Sequence, residues 1–211
     1  MGRTIHESDW RDGFLFLGNQ LALDFVNTRP LQDGKPVELL PNFAALLRWF
    51  RAAGLLGSRQ AEALRRSRDG SARARRMVEA ARDLRERLRQ QVLAWENGGA
   101  LRHSLRHELN TLMAGHPMRT RLRAHGSAYA TELWFEARQP EDLLAPLAYS
   151  AAALFATMDR KRLRKCRHCV LHFYDTSKKG TRHWCSMRMC GNRLKVAAYA
   201  ARRRHEQFRH G

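Results

Sequence analysis

"CRHCVLHFYDTSKKGTRHWCSMRMCGNR" runs from Cys166 to Arg193 and holds all four cysteines of a 211-residue chain. They form two close pairs, Cys166-x2-Cys169 and Cys185-x4-Cys190, with fifteen residues between the pairs. Two such pairs of thiolates suit one tetrahedral zinc ion, so Cys166, Cys169, Cys185 and Cys190 are the expected ligands. Sulfur then fills every coordination position, which makes the ion structural rather than catalytic. An iron–sulfur cluster is the other group that four thiolates hold. His168, His172 and His183 lie close by and are expected to be supporting or surface groups.

Within the segment, "LHFYD" alternates, "TSKKGTR" turns at Gly180 and "HWC" returns, which predicts a hairpin inside the metal loop. The second cysteine pair brackets the start of "RLKVAAYAARRR", a helix-favouring run. A knuckle, a hairpin and a helix around one ion make a treble-clef-like zinc finger. So short a segment buries too little apolar surface to fold alone, and the metal supplies the missing free energy. Phe173, Tyr174, Trp184 and Leu194 are its expected small core.

The charge is concentrated in the same place. The chain carries 39 Lys+Arg against 20 Asp+Glu, a net +19. Residues 161–211 contribute fifteen of the basic residues and only two acids, Asp175 and Glu206. Such a segment attracts polyanions. Lys178, Lys179 and Arg182 fall on the expected hairpin tip. Asn192, Arg193 and Lys195 fall at the start of the last helix, and Arg202, Arg203 and Arg204 further along it. A helix with basic residues near its beginning enters a major groove while the later ones hold phosphate. Arg193 is the candidate for a guanine contact and Asn192 for adenine, although Gly191 and Asn192 also suit a turn and a helix cap.

The remaining chain reads as a mainly α domain with a small antiparallel β hairpin, giving an α+β class overall. Residues 1–158 are expected to form this domain and 159–211 the basic finger. Asn42 caps a helix to Ala53. Ser58 starts a second, Ser71 to Trp95 forms a long third, and Ala100 to Met113 a fourth. "MRTRLRAHG" and "AYATELWFEA" alternate like two strands joined at Gly126 and Ser127. Pro140 opens a last helix, expected to break or kink at Pro146 and to continue to about Thr157. The arginines of the third helix are mixed with acids, as on a solvated face with i,i+4 pairs. "FLFLGNQLALDFVN" at 14–27 reads as a strand or a short helix, and "TRPLQDGKP" as a loop. Asp24, Asn27 and Arg29 are a candidate small-ligand pocket; Asp24 and Asn27 also suit capping and loop bonding. Trp49, Trp134 and Phe135 are expected in the core.

No enzyme signature stands out. His103 and His107 have zinc-protease spacing, but Ser104 occupies the position that needs Glu. No secretory signal opens the sequence, and no apolar run is long enough to span a bilayer, so a cytoplasmic, non-membrane protein is expected.

"WCSMRMCGNRLK" resembles the CGNR zinc finger, named for Cys190-Gly191-Asn192-Arg193. The likeness extends to both cysteine pairs and to F-x-D-x-S at Phe173, Asp175 and Ser177. "FLFLGNQLALDFVNTRP" resembles the ABATE domain, which precedes that finger in bacterial stress-induced transcriptional regulators. The resemblance implies a DNA-binding finger behind a module that senses a ligand or mediates assembly, with double-stranded DNA, a small effector and a homodimer as expected partners. An RNA-binding finger, an enzyme-like first domain with an accessory finger, and a finger that contacts an acidic protein are the rival readings.

Overall fold

The computed structural model describes residues 9–32, 34–68, 70–116 and 118–191. Asn192, Arg193, Lys195, Arg202, Arg203 and Arg204, with the helix expected to carry them, lie outside the described residues.

The chain opens with a two-strand ribbon, β1 (Trp10–Arg11) and β2 (Phe14–Leu15). Asp12 and Gly13 both have positive φ, +50° and +80°, the geometry that an Asp-Gly hairpin turn favours. The stretch 14–27 is therefore both strand and helix: after β2 it continues into helix α1 (Leu21–Val26), buried at every position but the first. "TRPLQDGKP" contains a second short ribbon, β3 (Leu31–Gln32) and β4 (Lys35–Pro36).

Helix α2 (Phe43–Ala52) starts where Asn42 accepts a hydrogen bond from the Ala45 amide at 2.9 Å. Its Phe43, Leu46, Leu47 and Phe50 are buried as their spacing predicts. Helix α3 (Ser58–Arg68) follows, then α4 (Ala72–Glu96), capped by Ser71 at 3.1 Å from the Ala74 amide. Helix α5 (His103–Gly115) exposes His103 and His107. Strands β5 (Arg119–His125) and β6 (Ala128–Trp134) pair antiparallel in the expected place.

A 3-10 turn at Pro140–Leu143 leads into α6 (Leu144–Thr157). Pro146 does not break it: the helix runs on from Leu144 to Thr157. The proline sits in the first turn, where an amide has no intrahelical partner to lose. The core lies among α1, α2, α4, α5 and α6. Trp49 is fully buried at its centre, edge-on to Phe25 at 5.3 Å and to Phe50 at 5.1 Å. Trp134, by contrast, is only half-buried, with the guanidiniums of Arg119 and Arg121 over its ring. Among the described residues no helix is long and apolar enough to cross a membrane.

Three arginines of α4 correct the expectation of a wholly solvated face. Arg85 is buried, and its guanidinium meets Glu38 in a fork at 2.8 and 2.6 Å, Thr28 at 3.1 Å and Glu86 at 3.1 Å. Arg82 caps the Leu40 carbonyl and Arg89 that of Val26. Most of these bonds reach other elements because α4 is packed against α1 and α2 and against the finger. Arg82, Arg85 and Arg89 therefore sit between layers, while Arg75 and Arg76 stay exposed to water.

Candidate metal centre

The finger begins with β7 (Leu163–Lys165) and β8 (His172–Tyr174), paired antiparallel from Leu163↔Tyr174 to Lys165↔His172. The first cysteine pair occupies the turn between them, closed by Cys166 N–H to the Leu171 carbonyl at 2.9 Å. This corrects the expected hairpin, in which "LHFYD" paired forward with "HWC". The strand pairs backward instead, and its other edge is already taken. His172 donates to Asn27 Oδ1 at 2.9 Å, and its carbonyl accepts from Asn27 Nδ2 at 2.8 Å. Tyr174 donates to the Gly18 carbonyl at 2.8 Å and accepts from Asn19 Nδ2 at 2.9 Å. Gly18, Asn19 and Asn27, on either side of α1, thus fill the strand's other edge, with side-chain amides in place of part of a backbone ladder.

The second pair lies on a loop and a single π-helical turn, Met187–Gly191. All four Sγ atoms lie within 4.8 Å of one another, with Cys169–Cys185 at 3.7 Å and Cys185–Cys190 at 3.6 Å. Tetrahedral Zn–S bonds of about 2.3 Å set sulfurs about 3.8 Å apart. The cluster thus has the dimensions of a four-sulfur metal site, and among the described residues no histidine joins it. His168 and His183 are exposed; His172 is buried.

Sulfur crowding polarises the thiols. Hydrogen bonds from Cys169 and Cys185 push Cys166 down, and the resulting thiolate raises its neighbours. Cys169 is pushed up to about 12 by its bond to Cys166, and Cys185 rises for the same reason. Cys190 rises through burial and the Cys166 charge. A dication replaces these protons and supplies the charge that lets all four sulfurs ionise.

The metal core is shared between the two ends of the chain. Leu171, Phe173 and the buried cysteines pack with Leu15 and Leu17 of the N-terminal stretch. Ser186 adds a 2.6 Å hydrogen bond to Asp9, and the Lys165 amide one of 2.8 Å to Glu96. Gly191 of the Cys-Gly-Asn-Arg signature lies close under two side chains, which a larger residue would have to displace. A Cβ there would lie 2.6 Å from Met187 Sδ and 3.0 Å from Trp184 Nε1.

Loop 175–182 is braced from within. Asp175 is fully buried and accepts from the Ser177 amide at 2.9 Å and the Arg182 amide at 2.8 Å. Burial opposes its charge, but these bonds outweigh burial and hold the carboxyl below its usual range. Arg162 donates to the Asp175 and Ser177 carbonyls, and Arg164 to that of Gly180. Neither arginine stood out in the sequence. Lys178 and Lys179 are exposed on this loop as expected. Arg182 instead turns inward, 4.3 Å over the Phe173 ring, and bonds the Trp184 and Cys185 carbonyls.

The other sequence candidates separate. Asp24 accepts from the Gly18 amide at 2.7 Å, Asn27 holds β8, and Arg29 pairs with Glu86 at 3.5 Å. Residues 19–158 match the ABATE family, described as "Putative stress-induced transcription regulator". The chain belongs to the ABATE family. Behind the ABATE part, residues 162–203 match the CGNR zinc finger. No curated protein matches the chain. The ABATE part and the finger meet along β8, so the order of the two matches is also a structural contact.

That contact is pH-sensitive in a way that is testable. Burial raises Asp24 from 3.8 to about 7, against the Gly18 amide, Arg11 and the Leu17 amide. Folded Asp24 keeps its proton over a range where the unfolded carboxyl has lost it. Its contribution is therefore full below pH 3.8 and fades as pH rises to about 7. His172 has the opposite sign. Burial, Arg89 and Lys165 lower it from 6.5 to about 4, so stability is lost as pH falls through that window. Asp24→Asn keeps the acceptor for Gly18 and removes only the first effect. The variant is expected to gain about 3–4 kcal/mol relative to the parent between pH 4 and 7. Urea unfolding of both proteins across that range measures the difference.

Proposed function

We propose that the chain is a bacterial, cytoplasmic transcription regulator whose finger, held by a structural zinc ion, binds double-stranded DNA. Its ABATE part senses a small molecule or mediates assembly, a homodimer included, and performs no catalysis. One observation carries the reading. Between Lys161 and Gly191 the only carboxylate is Asp175, and it is buried and fully used by loop amides. The exposed surface of this segment is therefore cationic, with Lys161, Lys165, Arg167, Lys178, Lys179 and Arg188 all exposed. Lys178 and Lys179 project from a loop already rigid before any partner arrives, which lowers the entropy cost of binding. The basic residues beyond Gly191 add to the same field.

The test is a fluorescence-anisotropy titration of a random-sequence duplex with metal-loaded protein over a salt series. The double variant Lys178→Glu and Lys179→Glu is expected to bind at least ten-fold more weakly. Its slope of log K against log salt should fall by about two. A hairpin RNA competitor of equal charge separates the DNA reading from an RNA one. If metal-loaded parent protein retains neither nucleic acid at low salt, the reading fails.

A further inference from the structure

A cleft of about 270 Å³ lies where the ABATE part meets the finger. One wall comes from the segment after α1 and from α4, the other from the finger's β7, knuckle and β8. Three cations line it: Arg29, Arg89 and Lys165. Among the described residues its one acidic lining group is Glu86, and that carboxylate is already shared by Arg29 at 3.5 Å, Arg85 at 3.1 Å and Arg89 at 3.3 Å. Positive charge is left over. Arg89 registers the imbalance: burial and the neighbouring Arg85 and Arg29 outweigh Glu86 and hold it below the usual arginine range.

The rest of the wall is apolar, with Leu31, Leu93 and Val170 facing the same space. His172 also lines the cleft; its Nδ1 is buried without a hydrogen-bond partner, 4.0 Å from Glu96. Surplus cations beside aliphatic walls are complementary to a small amphipathic anion and poorly matched to a bare inorganic one. We infer that this cleft binds a small organic acid, a monocarboxylate with a compact hydrocarbon body. The carboxylate meets Arg29 and Lys165, and the hydrocarbon lies against Leu93 and Val170. Such a ligand touches both parts at once, so its binding biases how the finger is held. That regulatory consequence, unlike the binding itself, rests on the nucleic-acid reading above.

Calorimetric titration of the metal-loaded full chain with octanoate, benzoate and inorganic phosphate, at constant ionic strength, tests the site. At least one of the two carboxylates is expected to bind saturably with one ligand per chain, and phosphate at least ten-fold more weakly. Arg29→Met and Lys165→Met each replace an exposed cation by an uncharged side chain of similar length. Each is expected to weaken carboxylate binding ten-fold, with metal content and melting temperature unchanged. No saturable binding of either acid, equal binding of phosphate, or binding indifferent to both substitutions would overturn the inference. No nucleic acid is present in this titration, so its failure and that of the duplex titration are separate results.

Discussion

Chelation of the metal is expected to melt residues 163–191 and uncover Leu15 and Leu17, while α2 to α6 keep their structure. The finger's own core is small: Leu171, Phe173 and the cysteines, completed by the two leucines. Structural zinc contributes about 10–16 kcal/mol to such a unit, more than a core of this size supplies. The helical core is of another order, with Trp49, Phe25, Phe50, Leu84 and Leu88 all fully buried. Hydrogen exchange with and without chelator reads the two regions separately. Protection should vanish at the amides of Cys166, His172 and Tyr174 and persist along α4 and α6. Cys185→Ser should reproduce the pattern without chelator. Uniform loss of protection through α4 would instead mean that the chain unfolds as one cooperative unit. Uptake of the ion near neutral pH should also release about four protons, because in the melted segment all four thiols still carry theirs.

Asn27→Leu is expected to cost about 2–5 kcal/mol and to loosen the finger from the ABATE part. Asn27 is 1% exposed and spends both ends of its amide on His172. Leucine preserves the size but strands a buried N–H and a buried carbonyl, each costing about 1–3 kcal/mol. Asn27→Asp is the sharper variant, since its carboxylate keeps the acceptor for His172 N–H and sets a second oxygen against the His172 carbonyl. Thermal unfolding gives the total cost. Exchange at the His172 amide shows whether the loss is local to the clamp. A melting temperature unchanged by Asn27→Leu would show that the leucines and the metal hold the finger in place without it.

What the sequence disclosed followed the range of the interactions. The four metal ligands were legible because two short spacings set most of the sulfur geometry. The ribbon β5–β6 was legible because alternation and a Gly-Ser turn are local signals. The partner of β8 was not, because the choice between "HWC" and Leu163–Lys165 was made by the outer edge of the strand. That edge is filled by Gly18, Asn19 and Asn27, over 140 residues away. Asn27 could be read only as a lone polar group beside a helix. Arg82, Arg85 and Arg89 of α4 misled for a related reason: mixed charge looks the same on a wet face and between layers, and only packing decides. Arg182 read as one more basic residue on a turn until Phe173 was seen beneath it.

Because β8 is completed by residues near the other terminus, the order of synthesis constrains the protein. Asn27 leaves the ribosome 145 residues before His172 does, which at about 5–20 residues per second is a wait of about 7–30 seconds. Throughout that interval Leu15, Leu17 and the amide of Asn27 have no native counterpart. A message cut short before Cys166 thus yields a helical body with a raw seam, a natural substrate for quality-control proteases. The finger's Leu171, His172 and Phe173, made late, are what seal Leu15, Leu17 and Asn27, made early.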